Sequence, residues 1–472
     1  MEAGRLSNLS RPEAKRLLQF ADRLTSDERA ALERQIDAVD FDLLARLHRQ
    51  AREPALKIDP SLIAPIEVVE LPQTDAQHRE WKVADSMGRE ALAAGRCGVL
   101  LVAGGQGSRL GFEAPKGMFP IGAVRGTTLF EVFAEKIKER SRQAGRRIPW
   151  YIMTSPTNRV ETEEFFKRNS YFGLPTDDVR FFVQGTMPAV SRDAGDVLLA
   201  GPGEVFTSPN GHGGTLLAVE REGVLADMKR RGVDLVYYFQ VDNPLVKVLE
   251  PAFLGIHLQR KSDFSAKVVR KVDPKEKVGL VVEYDGKPTV IEYSDLPDDL
   301  AVLRDPNGGL KYWPGSIAIH VFSRSFLERV ADALPYHAAH KVVPYVDDAG
   351  RLITPSAPNA VKFEMFIFDS MPMAERVAIV ETDREDEFAP VKNADGADSP
   401  ASVRDAMTRQ AGRWLSQAGI EYPKDQEGAP TVPIEILGRA GLDLADFAAK
   451  QRGRPAIVGP AFIGEEHRTP VN

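Results

Sequence analysis

The chain carries a single cysteine, Cys97, in 472 residues. No intramolecular disulfide can form, and a cysteine-rich metal site is excluded. Such sparing use of cysteine suits a reducing compartment. Cys97 directly precedes an apolar run, so a small buried core residue is its expected role. Long hydrophobic stretches are missing too: no run reaches the roughly eighteen apolar residues a membrane helix needs. The N-terminus, MEAGRLSNLSRPEAKRLLQF, has no continuous apolar segment of the kind a secretory signal carries. Positive charge is not in excess either. A net charge of −7 and a pI near 5.8 argue against a broad nucleic-acid surface, although a local basic pocket remains compatible with them. The expectation is a cytoplasmic protein with no nucleic-acid or membrane partner. There is no GxSxG elbow, no catalytic-triad arrangement, no internal repeat and no extended low-complexity segment.

What is present is an ordinary globular composition, 43% hydrophobic and 27% charged. The length suits two or three domains. Residues from about Pro12 to Arg52 show helical spacing, with Thr25 and Glu28 set to form a capping box. Pro54, Pro60, Pro65 and Pro72 mark an irregular connection, and HREWKVADSMGREALAAGR follows as a helix. From Cys97 the pattern alternates between strands (VLLVA, WYIMTS, VRFFVQ, LVYYFQV, SAKVVRKV) and helices (LFEVFAEKIKER, VETEEFFKRNSYF, GTLLAVEREGVLADMKRRG). That alternation predicts a mostly parallel sheet covered on both faces. ADGADSP is a polar turn region, after which SVRDAMTRQAGRWLSQAG is a helix leading to a short tail region.

The most informative stretch is VLLVAGGQGSRLGFEAPKGMFPI, from Val99 to Ile121. A Walker loop needs GK[ST] at its end, and here the lysine lies well beyond the turn. A dinucleotide fingerprint needs a third glycine where Leu110 stands. The turn still favours an anion. Gly104, Gly105 and Gly107 permit positive φ and close approach, and successive N–H groups can form an anion-binding nest. Arg109 adds a forked cation and Lys116 a point charge, which suits a polyphosphate. A tight strand-to-helix turn with surface cations is the plain alternative.

LVAGGQGSRLGFEAPKGMFPIG resembles the nucleotide-binding motif of the UDP-sugar pyrophosphorylase family, nearest to the eukaryotic-type UDP-N-acetylglucosamine enzymes. The resemblance implies a Rossmann-like (GT-A-type) α/β nucleotidyltransferase domain with a mixed, mostly parallel sheet. It would span residues 95–395, between a helical region at 1–94 and a small C-terminal domain at 396–472. In the family the turn, here Ala103, Gly104 and Gly105, wraps the nucleotide, while Arg109 and Lys116 face its phosphates.

Companion motifs follow in family order. YYFQVDNPLVKV sets Asp242 just past an apolar strand, where the family holds Mg²⁺, a hard cation that shares its shell with phosphates and water. PNGHGGTLLAV resembles the uridine-contacting glycine loop and includes Gly213. VQGTMPAV resembles the uracil-side segment, in which Gln184 would pair with the base edge. KVGLVVEYDGKPTVIEYSDL matches the sugar side, with Gly279 and Glu292 facing the sugar; Asp285–Gly286 is also a strong hairpin signal. KFEMFIFDS places Phe366 and Phe368 beside the sugar, although their alternation fits core packing equally. REDEFAPVKNADG brings Lys392 to the phosphates. Two positions depart from the family's GNxxNH pattern: GSIAIH carries Ser316 and Ile319. GHG at Gly211–Gly213 is similar to the UDP-glucose branch.

The implied reaction joins UTP to a sugar 1-phosphate, first N-acetylglucosamine 1-phosphate and otherwise glucose or galactose 1-phosphate. A UDP-sugar-binding regulator without turnover is the alternative from another class. His337 and His340, spaced one helical turn apart in YHAAHK, are expected on a solvated helix face rather than in a metal site.

Overall fold

The computed structural model describes residues 8–53, 58–293 and 295–465. They divide into two compact units, each assembled from separate stretches of chain.

The larger unit comprises Asp59–Val183, Ala218–Ala331 and the described part of Met371–Asn472. Its centre is a mixed sheet. Four strands run parallel in the order Leu235–Gln240, Cys97–Val102, Trp150–Thr154 and Val179–Val183. The first three are the continuous apolar runs seen in the sequence, as strands buried on both faces require, while Val179–Val183 is half-buried at the sheet edge. The long strand Pro314–Ser323 flanks Leu235–Gln240 antiparallel and in turn pairs with Phe264–Arg270. The hairpin Leu280–Tyr284/Lys287–Ile291 turns at Asp285–Gly286 with φ of 47° and 72°, as its DG sequence predicts. Helices Asp75–Ala93 and Leu129–Ala144 bury Ala91, Leu92, Phe133 and Ile137 in one cluster with Val99, Leu101 and Trp150. Cys97 belongs to the same cluster, and burial pushes its thiol up to about 12, so it is an inert core residue. The segment read as one helix from Gly214 is two, Gly214–Arg221 and Val224–Arg231, because Gly223 breaks the run at φ 68°.

The C-terminal part, with helix Pro400–Gln417 and strand Ile434–Ile436, has its own small core around Trp414, Leu415 and Phe447. Its Glu435, 1% exposed, reaches the segment following the glycine turn. The carboxylate accepts from the N–H groups of Val124 (2.8 Å) and Arg125 (2.7 Å), and from the Thr127 hydroxyl.

The second unit comprises the described part of Met1–Ile58 with Gln184–Leu217 and Asp332–Ser370. The N-terminal helices Ser26–Asp37 and Phe41–Ala51 are not an appendage. Leu32, Ile36, Phe41 and Leu44 share a core with Met187, Val190, Val361 and Phe363. The capping box of Thr25 and Glu28 is formed. His337 and His340 lie on a strand, His337–Lys341, paired antiparallel with Ala360–Glu364, and not on a helix. Cross-strand pairing overrides the local spacing that suggested a helix. Among the described residues no helix is long and apolar enough to cross a membrane.

One buried histidine of the larger unit gives a stability prediction. His257, 1% exposed, lies between Ser265 Oγ (2.8 Å, at Nδ1) and Ser323 Oγ (3.1 Å, at Nε2). The Ser323 hydroxyl donates to the carbonyl of Ser262, so Nε2–H donates to Ser323 and Nδ1 accepts from Ser265. Desolvation holds this neutral ring's pKa down to about 4, against the opposing pull of Asp263. The unfolded chain therefore takes up this proton first. The contribution is intact above about pH 6.5 and is lost as pH falls through about 4, on the order of 3 kcal/mol. Chemical denaturation of His257→Gln against the parent, at pH 7 and pH 4.5, is expected to show a smaller acid-induced loss in the variant.

Candidate active site

The glycine turn leaves the strand Cys97–Val102 at the carboxyl end of the parallel strands, where open α/β sheets bind ligands. Asn158 holds it from below: Nδ2 donates to the carbonyls of Ala103 (3.0 Å) and Gly105 (3.5 Å). The return segment closes it, with Lys116 N–H on the Gly105 carbonyl (3.1 Å) and Gly107 N–H on Ala114 (2.9 Å). The N–H groups of Gly104, Gly105 and Gln106 donate to no acceptor among the described residues. They are candidate anion donors. The positive φ that glycine permits is not used at Gly104, Gly105 or Gly107; in this motif only Gly111 adopts it, at 68°. Gly107 is required instead for proximity, since a Cβ there would lie 2.7 Å from the Phe112 carbonyl oxygen.

Lys116 joins the groups of this unit. Its Nζ donates to the carbonyl of Val391 at 3.2 Å. Desolvation lowers its pKa most, Asp242 opposes that, and Arg109 and Lys392 lower it further. The turn lysine thus feels the strand-end aspartate, the turn arginine and the late lysine together. Arg109 is exposed, Lys392 half-buried with its Nζ 6.0 Å from the Phe388 ring centre. Asp242 is half-buried, and its carboxylate makes no hydrogen bond or salt bridge among the described residues, while its backbone carbonyl accepts from Val391 N–H at 2.8 Å. Among those residues no group of three or more His, Cys, Asp or Glu is disposed to hold a metal. A single uncommitted carboxylate fits Mg²⁺ bound mainly through water and substrate phosphate, and does not fit a cation caged by protein.

Of the residues the family resemblance assigns to the sugar, Gly279 and Glu292 lie in the same unit and are neighbours. A Cβ on Gly279 would lie 3.9 Å from Glu292 Oε1, and the Gly279 carbonyl accepts from Ser316 N–H at 2.8 Å. Ile319 does not join them: it is 1% exposed and sits in the main apolar cluster.

The smaller unit carries the other predicted residues, and they form one constellation. Gln184, 6% exposed, donates from Nε2 to the Gly211 carbonyl at 2.6 Å. That leaves its carbonyl and second amide hydrogen for a base edge. Gly213 N–H donates to the Met365 carbonyl, and Met365 N–H to that of Asn210, both at 2.8 Å. His212 Nδ1 accepts from Ile367 N–H at 3.2 Å. Its pKa is pushed down to about 4 by burial, so the ring is neutral and Nε2 carries the hydrogen. Phe366 and Phe368 stack at 5.2 Å, with His212 5.5 Å and 5.7 Å from them. His337 stacks on Phe366 at 4.8 Å while its Nε2 meets Asp369 at 2.8 Å. His337, expected to be uninvolved, thus backs the aromatic pair.

The sequence model of the UDPGP family, described as UTP–glucose-1-phosphate uridylyltransferase, matches residues 45–457. The chain belongs to this family. It is 38% identical over 451 residues to the human UDP-N-acetylhexosamine pyrophosphorylase-like protein 1, covering 90% of this chain and 88% of that one. It is 34% identical over 467 residues to the UDP-N-acetylglucosamine pyrophosphorylase of Saccharomyces cerevisiae, covering 96% and 95%. Among solved structures, that of the uridine diphosphate N-acetylglucosamine pyrophosphorylase of Trypanosoma brucei in complex with inhibitor superposes with a TM-score of 0.80 at 26% identity, covering 99% of both chains. Sequence reasoning found the family's motifs but missed Asn158, Asn210 and His212. Of these, only the His in GHG left a signal in the sequence.

Proposed function

We propose that the chain condenses UTP with N-acetylglucosamine 1-phosphate to give UDP-N-acetylglucosamine and pyrophosphate, in the cytoplasm. The observation that carries this reading is the convergence of Asp242, Arg109 and Lys392 on the desolvated Lys116, beside three N–H groups of the glycine turn that donate to no acceptor among the described residues. The names of the human, yeast and trypanosomal relatives support the amino-sugar substrate.

An oxygen of the sugar phosphate attacks the α-phosphorus of UTP. The new P–O bond forms as the bond from the α-phosphorus to the bridging oxygen breaks, and pyrophosphate leaves with that electron pair. The nucleophile is already anionic at neutral pH, so no side chain need act as general base. The obstacle is charge: two like unit charges at about 4 Å repel by about 4 kcal/mol at an effective dielectric near 20. Arg109, Lys116 and Lys392 offset that repulsion and orient the phosphates for in-line displacement. Asp242 would hold Mg²⁺, which supplies further charge neutralisation when bound. Within the smaller unit the family resemblance gives Gln184 and the Gly211–Gly213 loop to the uridine and Phe366 and Phe368 to the sugar; within the larger unit it gives Gly279 and Glu292 to the sugar.

Ile319 and Ser316 depart from the family pattern on the sugar side, so the choice of sugar is the part to test. Pyrophosphate release is to be measured for the purified chain with UTP and a panel of N-acetylglucosamine, N-acetylgalactosamine, glucose and galactose 1-phosphates, with and without Mg²⁺. N-acetylglucosamine 1-phosphate is expected to give the highest kcat/KM, at least about tenfold above glucose 1-phosphate, and only with Mg²⁺. Preference for glucose 1-phosphate would move the assignment to the UDP-glucose branch. UDP-sugar binding without release from any member would make the chain a regulator.

A further inference from the structure

Two segments end in residues assigned above to Mg²⁺ and to the phosphates: Asp242 opens the first, Asp242–Lys247, and Lys392 closes the second, Thr382–Lys392. Between them is a buried carboxylate with no role in that chemistry. Glu387 is 0% exposed. Its Oε2 accepts from Lys267 Nζ (2.5 Å) and from the Thr382 hydroxyl (2.6 Å), and its Oε1 from Lys247 N–H (3.0 Å). Its backbone carbonyl accepts from Asn243 Nδ2 at 2.8 Å. Asn243 completes the clasp, its Oδ1 accepting from Leu245 N–H (3.3 Å) within one segment and Ala389 N–H (3.2 Å) in the other. Val391 then touches both charged partners, through its N–H to Asp242 and its carbonyl to Lys116.

A buried ion pair is a poor way to gain stability, because desolvating both charges offsets most of their attraction. What Glu387 supplies here is geometry. Its bonds to Lys247 N–H and Asn243 Nδ2 hold the first segment and its bond to Thr382 holds its own, while Lys267, itself paired with Glu250 at 2.5 Å, anchors it to the strand Phe264–Arg270. We infer that Glu387 and Asn243 are positioning residues. They lock the Asp242 and Lys392 segments in one register, so that Asp242, Lys116 and Lys392 face a single reacting phosphate group. The inference rests on the uridylyltransferase reading.

The test is Glu387→Gln in the full chain, which keeps the shape, removes the charge and leaves Lys267 paired with Glu250. Hydrogen exchange is expected to accelerate about tenfold in the peptide holding Ala389 and Val391, with the rest of the sheet unchanged. The kcat is expected to fall about ten- to a hundredfold, with KM for UTP and for the sugar phosphate held within about threefold, since register matters to the transition state more than to ground-state binding. Unaltered exchange overturns the inference, as does faster exchange with wild-type kcat, or a fall in kcat matched by loss of protection throughout the sheet. If Glu387→Gln does not fold, Thr382→Val, which removes one donor to Oε2, is judged by the same criteria. A wild-type chain inactive with every sugar phosphate would overturn the functional reading instead, while exchange would still decide whether the clasp orders the segment.

Discussion

Lys116→Ala is expected to lower kcat for UDP-sugar formation about a hundredfold, close to 3 kcal/mol of transition-state stabilisation. The reason is its surroundings more than its charge alone. The ammonium is partly desolvated, so its field toward a phosphate is less screened than that of a surface lysine. Its Nζ is held by the Val391 carbonyl, which fixes its position before substrate arrives. Alanine removes the group and leaves Arg109 and Lys392 to carry a triphosphate. Arginine is not expected to restore activity, because a planar fork does not replace a compact ammonium seated against one carbonyl. Steady-state kinetics at saturating UTP and Mg²⁺, alongside a melting curve, checks this. The stability cost should stay near the value of one hydrogen bond, about 1 kcal/mol. A folded variant with wild-type kcat would remove Lys116 from the reaction.

The sequence made the elements around this lysine legible because their signals are local. VLLVA is a continuous apolar run, as a strand buried on both faces must be, and the break into glycines marks the strand's end. The DG hairpin and the Thr25–Glu28 capping box are local for the same reason. What was not legible depends on distant partners. YHAAHK has helical spacing, yet pairing with Ala360–Glu364 makes it a strand. Gly107 does not use the positive φ that glycine permits; its constraint is the nearby Phe112, which spacing cannot reveal. The N-terminal helices carried no hint that they would share a core with Met187 and Phe363. Glu387 looked like one acid in the charged run REDE; its bond to Lys267 spans 120 residues. Polar clasps across such separations have no periodicity to betray them.

Gly213→Ala is expected to lower kcat/KM about a hundredfold for UTP and for the sugar phosphate alike. The double effect follows from how the smaller unit is tied together. The N–H of Gly213 donates to the Met365 carbonyl at 2.8 Å, so the Gly211–Gly213 loop proposed for the uridine lies directly against the backbone that carries Phe366. A Cβ on Gly213 would sit 2.6 Å from both Met365 C and Phe366 N, closer than any real side chain is tolerated. Backbone cannot swing aside as the tip of a flexible side chain can, so the loop and the aromatic pair must move together. Overpacking of this kind costs about 1 to 3 kcal/mol, so the melting temperature should fall as well. Gly105→Ala is the control that separates ligand from protein. Nothing lies within 4 Å of a Cβ there, and its φ is not positive. Its melting temperature should match wild type while its KM for UTP rises, because the added methyl enters the space assigned to the nucleotide. If Gly213→Ala left kcat/KM for the sugar phosphate untouched, the loop and the aromatic pair would be separable parts and the stitched arrangement would carry no functional weight.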